Sequence, residues 1–338
     1  MESLFGKGNK RAPLFVVLLV VILLPLMSDD PFYLSLIIGA LVWSVVAMGF
    51  SAVMRTGSFS MGQAAFMAIG GYTACLLQKN LGISFWYGLL IAGVIAALSA
   101  AVIGIIVLRL SGMYFSIITL AFGEAVRVIA ENWLNVTGGM NGIIPDPPSP
   151  IHIGSLTIDF VSSQVPYYYL ILIIVIIAAL VFWRLDGSRF GRVSRSIATN
   201  ELLAQHTGMH PMKYRVVIFT IAGFFTGVAG AYSAFYHVFL HPANFGMNQS
   251  IAVAIMAVIG GSGSPVAGPV IGALIVSAVG DYLTTLLAGL KPLVYGIMVV
   301  VILFLLPNGM VQLRDSFVKL FRGQPGIQQR PGAARNTR

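Results

Sequence analysis

Long apolar runs separated by short polar segments dominate the chain. Residues 12–28, 32–54, 56–78, 80–108, 110–123, 160–183, 216–280 and 292–313 contain no Asp, Glu, Lys or Arg. Most of these runs reach the roughly 17 to 25 residues that a membrane-spanning helix needs. They lack the sustained two-residue alternation of a membrane barrel strand. The pattern predicts an all-α, polytopic membrane protein. Composition agrees, because 57% of the residues are hydrophobic and only 9% are charged, where a soluble domain carries about a quarter charged.

The charges also predict a topology. Lys7, Lys10 and Arg11 precede the first apolar run and place the start of the chain in the cytoplasm. Spans then follow at about 12–28, 32–54, 58–77, 84–107, 113–133, 165–183 and 216–236, the region 250–288 crosses twice, and a last span covers 292–306. The segment 184–215 holds six basic residues and the tail 307–338 another six, whereas the loop 135–164 holds none. By this count 17 of the 20 basic residues are cytoplasmic, the exceptions being Lys79, Arg127 and Lys291. Ten spans, within a range of 8 to 11, put both termini inside. Residues 1–306 thus form one transmembrane domain with a cytoplasmic segment (184–215) and an external loop (135–164), and the basic tail 307–338 is expected to be disordered. The net charge of +9 is what this asymmetry leaves behind, and it implies a lipid bilayer rather than nucleic acid as the partner surface.

Ten spans divide into five and five, and an odd half inserts the second half upside down. "MAIGG" (67–71) and "MAVIGG" (256–261) each fall in the third span of a half, which marks a candidate inverted repeat. The basic N-terminus with its short apolar run resembles a signal peptide, but no A-x-A-like site follows "LLPLM" and a retained helix is favoured. Cys75 is the single cysteine and offers neither a disulfide nor a thiolate metal site.

Few positions carry chemistry. Glu124, Arg127 and Glu131 share one helix face at i, i+3 and i+7. Charges inside a span are functional candidates by default, with a structural ion pair as the alternative. Asp281 lies near the outer end of the ninth span and reads as structural. His237 and His241 are spaced for a helical zinc pair but lack a third donor, so no metal is expected. "VIGGSGSPVAGPVIGA" (258–273) is rich in glycine and proline, yet no Lys and no preceding strand make it a phosphate cradle. It is read as a break in a helix, lying at a hinge or lining a pathway. No G-x-x-x-x-G-K-[ST] occurs in the chain, so energy must come from a partner or a gradient. The segment 187–209 reads as an amphipathic helix from about Arg195 to Thr207 that stops at Gly208. It is either a docking element or a loop that only enforces topology.

Three long stretches resemble one family in order: "GSFSMGQAAFMAIGGY" (57–72), "RLSGMYFSIITLAFGEAVRVIAENWLNVTGGMNGI" (109–143), and "GRVSRSIATNELLAQHTGMHPMKYRVVIFTIAGFFTGVAGA" followed by "AVIGGSGSPVAGPVIGA". They are similar to the LivM-type permease subunits of ABC importers for branched-chain amino acids and urea. The resemblance implies a non-enzymatic transport subunit in the bacterial inner membrane. Its partners would be a second homologous permease, two cytoplasmic ABC ATPase subunits and a soluble periplasmic solute-binding protein. It would bind no cofactor itself, ATP and Mg being used by the ATPase subunits. Arg195, Asn200, Glu201, Ala204 and Gly208 fall in its ATPase-coupling pattern, from which Leu203 and "IATNE" depart. Gln63, Tyr114, Thr119, Glu124, Arg127, Gly260, Gly261, Gly263 and Pro265 are the candidates for lining or gating the pathway. Urea, short amides or other amino acids are alternative solutes, and a stand-alone ion-coupled carrier or channel is the alternative of a different class.

Overall fold

The computed structural model describes residues 31–286, apart from 111, 154–155, 162 and 262–263, and apart from the side chains at 151–158, 279 and 281–286. The first span, the last span, the tail 307–338, Gly263, Lys291 and the side chain of Asp281 lie outside the described residues.

The described chain is a helical membrane bundle. Its helices are α1 (Pro31–Met54), α2 (Gln63–Leu81), α3 (Phe85–Val107), α4 (Met113–Asn132), α5 (Val165–Gly187), α6 (Arg189–Thr199), α7 (Glu201–His206), α8 (Pro211–Tyr236), α9 (Met247–Gly260) and α10 (Ala267–Leu286). Among the described residues six helices are long and apolar enough to cross a membrane: α1, α3, α4, α5, α8, and α9 together with the short 3-10 turn before it. The loop between α4 and α5 carries a single helical turn, Leu134–Thr137, and a small antiparallel hairpin of β1 (Ile151–Ile153) and β2 (Leu156–Ile158).

Most expected spans form within a few residues of their expected limits, and three differences have physical causes. First, α2 begins at Gln63 rather than near 58, because Gly57 to Gly62 is non-helical. Gly57 is left-handed with φ 82°, and the Ser60 hydroxyl accepts from the Gly62 N–H, a local bond that competes with helix formation. Second, α8 starts at Pro211, five residues before the expected span, since proline suits the first helical turn and Lys213 and Arg215 reach the polar end. Third, the single helix expected over Arg195 to Thr207 is two helices. Asn200 is extended between α6 and α7 and its side chain accepts from the Leu203 N–H at 3.0 Å, the ordinary role of Asn at a helix N-cap.

The core centres on α2 and α8. α2 is among the least apolar of the long helices, yet most of its residues from Gln63 to Cys75 are buried, so it meets protein rather than lipid. In lipid the association of helices depends on close packing, which small residues permit. A Cβ at Gly70 would collide with the Gly227 carbonyl of α8, and one at Gly230 with the Met67 carbonyl of α2. The second Gly-rich motif has the same function against a different neighbour, as Gly272 of α10 sits on the Met256 carbonyl of α9. The aromatic side chains Phe66 of α2, Phe115 of α4 and Phe219 of α8 pack edge to face in a separate apolar cluster that also ties α4 to α2 and α8.

The neighbours obey an exchange rule: α8 packs on α2 and α3, and α1 packs on α9 and α10. α3, α4 and α5 leave apolar side chains such as Leu98, Ile106, Ile117 and Leu180 exposed, as a surface facing lipid or another subunit requires. Replacing Gly70 with Val should cost more than about 3 kcal/mol, because overpacking meets backbone that has no room to move. Gly187→Ala, with nothing near its Cβ position, should be neutral. The monodisperse fraction recovered after a thermal ramp in detergent measures both, and equal survival would show that α2 and α8 do not need their close approach.

Candidate functional site

Two ion-pair struts bind the basic segment to the ends of the membrane helices. Asp186, at the end of α5, accepts from Arg55 at 2.6 Å, just past α1, and from Arg195 on α6. Glu201, the first residue of α7, receives both terminal nitrogens of Arg215 at 3.0 and 2.9 Å. Arg215, near the start of α8, is only 9% exposed, and its Nε also donates to the Thr56 carbonyl at 3.4 Å. A side chain at Gly57 would press on the Ala198 backbone of α6 at 3.3 Å. The turn Arg55 to Gly57 therefore receives contacts from α5, α6 and α8 together. A bidentate guanidinium–carboxylate pair is strong and directional, and the low exposure of Arg215 reduces screening.

The expected coupling residues divide in two. Arg195 and Glu201 act within the chain as strut members. Asn200 caps α7, Ala204 is buried, and Gly208 with φ 82° ends the helix while the Met209 N–H reaches back to the Ala204 carbonyl at 3.1 Å, a Schellman-type stop. The outward face of α7 is instead Leu202 and Leu203, at 69% and 62% exposure. Sequence reasoning missed Asp186 and Arg215. The available signal was that Asp186 and Glu201 are the two acids in 184–215, each with many cations to choose from.

A second group lies inside the bundle, where the extended stretch before α2 is bound to α4. Thr119 Oγ1 accepts from the Met61 N–H at 3.0 Å, and the Ser116 hydroxyl donates to the Phe59 carbonyl at 2.6 Å. Gln63 is 1% exposed, its Oε1 accepts from Thr226 of α8 at 3.0 Å, and its Nε2 has no partner. Gln63 and Thr119 are thus brought together. Tyr114 is not, being 73% exposed on another face of α4.

The third group is at the opposite end from the basic segment. Arg127 donates to Glu124 at 2.7 Å and pairs with Glu131, as the i, i+3, i+7 spacing predicts. The other oxygen of Glu124 accepts from the Met247 N–H at 2.6 Å, so an acid of α4 sits on the positive end of α9. All three charged side chains satisfy one another and the helix end. At the far end of α9, Gly260 is packed on the Gly268 carbonyl, Gly261 turns the chain with φ 83° and Pro265 precedes α10. These residues make the tight link between α9 and α10 and do not join Gln63 or Arg127. His241 accepts from the Ala243 N–H at 3.1 Å and contacts the Met140 carbonyl at 2.9 Å, and among the described residues no group of three or more His, Cys, Asp or Glu could hold a metal ion.

The family described as "Branched-chain amino acid transport system / permease component" matches residues 32–306. This chain belongs to that family. The high-affinity branched-chain amino acid transport system permease protein LivM of Escherichia coli K12 is 31% identical over 303 residues, 84% of this chain and 71% of the relative. Its namesake in Salmonella typhimurium LT2 is 30% identical over 309 residues, covering 86% and 72%. A probable LivM protein of Methanocaldococcus jannaschii is 29% identical over 185 residues, about half of each chain at 52% and 51%. No solved structure gives a significant match. The chain is a multi-pass membrane transport component, and the matched region contains all three groups of residues described above.

Thr119→Val leaves the Met61 N–H without its acceptor and should destabilise by about 1–3 kcal/mol, whereas Tyr114→Phe on the exposed face should change stability by less than about 0.5 kcal/mol. Thermal unfolding of the two variants side by side checks this, and a larger effect at Tyr114 would refute the assignment of faces.

Proposed function

We propose that the chain is the permease subunit of an ATP-driven importer of branched-chain amino acids in the bacterial cytoplasmic membrane. It would work with a second homologous permease, two cytoplasmic ABC ATPase subunits that use ATP and Mg, and a periplasmic solute-binding protein. The observation that carries this reading is the attachment of the segment 184–215. Its two short helices are fastened by Asp186 and Glu201 to Arg55 and Arg215, while Leu202 and Leu203 are left open for a partner.

In this reading the ATPase presses on the exposed leucines of α7. The displacement passes through Glu201 to Arg215 and the Thr56 carbonyl, and so to the turn 55–57. From there the extended stretch 57–62 delivers it to Thr119 and Gln63 inside the bundle. Glu201 transmits force as an internal strut and does not itself meet the ATPase. Glu124, Arg127 and Glu131 hold α4 to the start of α9 on the external side. Their mutual pairing gives no support to the stand-alone carrier, which needs them free to bind or relay ions.

The same proposal includes ten spans, both termini in the cytoplasm and a five-plus-five inverted repeat. Its support is the exchange rule of packing. Pairing α1 with α8, α2 with α9 and α3 with α10 exchanges each set of neighbours for the other. α1 also runs toward the Arg55 end while α8 runs away from Arg215, as an inverted pair must.

A charge swap tests the strut. Glu201→Lys should abolish leucine uptake by the assembled complex without loss of membrane insertion, and Glu201→Lys combined with Arg215→Glu should restore roughly a tenth or more of it, the signature of a coupled pair. Unchanged uptake in the single variant would refute the role of Glu201, and an inactive but well-inserted double variant would place the Glu201 contact on the ATPase instead.

A further inference from the structure

The basic end of the bundle holds two kinds of cation. Arg55, Arg195 and Arg215 occupy the two acids described there, Asp186 and Glu201. Arg109, Arg184, Arg189 and Lys213 are exposed, and among the described residues none of them meets a carboxylate. Arg192 beside them donates to the Gly187 carbonyl at 2.9 Å. Like charges gathered in one place repel, so four cations with both nearby acids already taken draw their counter-charge from elsewhere.

The fold brings the four together. A Cβ at Gly104 of α3 would meet the Phe219 ring of α8 at 3.0 Å, and Gly223 and Gly227 of α8 pack in turn on Ala100 and Ala96 of α3, so the two helices run antiparallel. Arg109 follows Gly104 by five residues and Lys213 precedes Phe219 by six, which sets both cations at one height, about 8 Å beyond that contact at 1.5 Å per residue. Phe190 of α6 packs on Tyr214 of α8 with ring centroids 4.6 Å apart, and this contact carries Arg189 to the start of α8. A Cβ at Gly191 would collide with the Leu185 and Asp186 carbonyls, so α6 is also seated on the end of α5, next to Arg184. An exposed apolar stripe leads to each long helix's cation: Val102 and Ile106 to Arg109, Ile177 and Leu180 to Arg184, and Val217 to Lys213 one turn away. Trp183, at 63% exposure, marks the level where apolar surface gives way to water.

We propose that this rim binds the headgroup of an anionic phospholipid, with the phosphate among Arg109, Arg189 and Lys213, Arg184 at the edge, and the acyl chains lying on the exposed stripes. The inference concerns the lipid contacts of the chain and stands apart from the permease reading, so the failure of one leaves the other in place. Guanidinium groups bond phosphate oxygens directionally, and each Lys or Arg near an anionic membrane surface strengthens attachment roughly fivefold. A zwitterionic headgroup brings its own cation to the same place and gains less. The stripes below the cations decide between lipid and an acidic protein surface, because a lipid supplies phosphate and hydrocarbon at the depths where the chain presents cations and apolar side chains.

The test uses the full chain, purified in detergent and equilibrated with equal amounts of phosphatidylglycerol and phosphatidylcholine of identical acyl chains. Native mass spectrometry counts the lipids it retains. The expected result is a roughly tenfold preference for phosphatidylglycerol, falling below about twofold when Arg109→Gln, Arg189→Gln and Lys213→Gln are combined. The same loss of charge placed in the tail, as Arg330→Gln with Arg335→Gln and Arg338→Gln, should leave the preference unchanged. Glycerol 3-phosphate, which offers the phosphate without the chains, should not displace the lipid. An equal fall in the tail variant overturns the proposal, since net charge alone would then explain retention. A preference that survives the triple substitution overturns it as well, as does displacement by glycerol 3-phosphate. If the triple variant aggregates, Lys213→Gln alone carries the same readout, with a fall of roughly two- to fivefold expected and no fall overturning the site. A triple variant that keeps its phosphatidylglycerol but sheds ATPase subunits from the assembled complex would assign these cations to a protein contact instead.

Discussion

Lipid supplies no hydrogen-bond partners, so the polar groups inside this bundle are met by their own helix or by a neighbouring one. The extended stretch from Gly57 to Gly62 shows the constraint most directly. It interrupts the helical path within the membrane domain, so beyond the Ser60 bond to the Gly62 N–H its backbone finds acceptors and donors outside its own segment. Thr119 and Ser116 of α4 supply them, and Gly62 allows α4 to come near enough to do so. The close seat of α2 on α8 then holds the helix that follows. Removing any of these contacts would expose backbone to an environment that cannot hydrogen-bond it.

The same rule governs charge. At the basic end each buried or half-buried cation meets a carboxylate from a different element: Arg55 meets Asp186, and Arg215 meets Glu201. At the other end Arg127 lies between two acids of its own helix, one of which also serves α9. The two ends differ in what the pairs connect. The basic end links short polar helices to long ones, and the other end links long helices to each other.

Much of this architecture was legible in the sequence. Apolar run lengths placed α3 at 84–107 against Phe85–Val107 observed, and α4 at 113–133 against Met113–Asn132. The Glu124, Arg127 and Glu131 cluster followed from helical spacing alone. What escaped was non-local. The late start of α2 combines local signals, Gly57 and the Ser60 hydroxyl, with hydroxyls of α4 more than fifty residues away, and no window centred on residue 58 contains the latter. Arg55 and Asp186 are 131 residues apart and Glu124 and Met247 are 123 apart, so a charge inventory could name the members but not the pairs. The split at Asn200 is a different case, since an Asn followed by Glu is a local N-cap signal that the amphipathic period outweighed.

The split at Asn200 also has a mechanical consequence. α7 spans six residues, about 9 Å at 1.5 Å per residue, and is joined to α6 through one extended residue whose side chain closes the α7 end. A load applied at Leu202 and Leu203 therefore turns a short stiff crank about Asn200 and does not bend a long helix. Its other fixed point is Arg215, at the foot of α8, the most central helix among the described residues. Under the proposed coupling, a crank of that length would convert a displacement of a few ångströms at the surface into rotation at the base of α8, tilting that helix in place of sliding it.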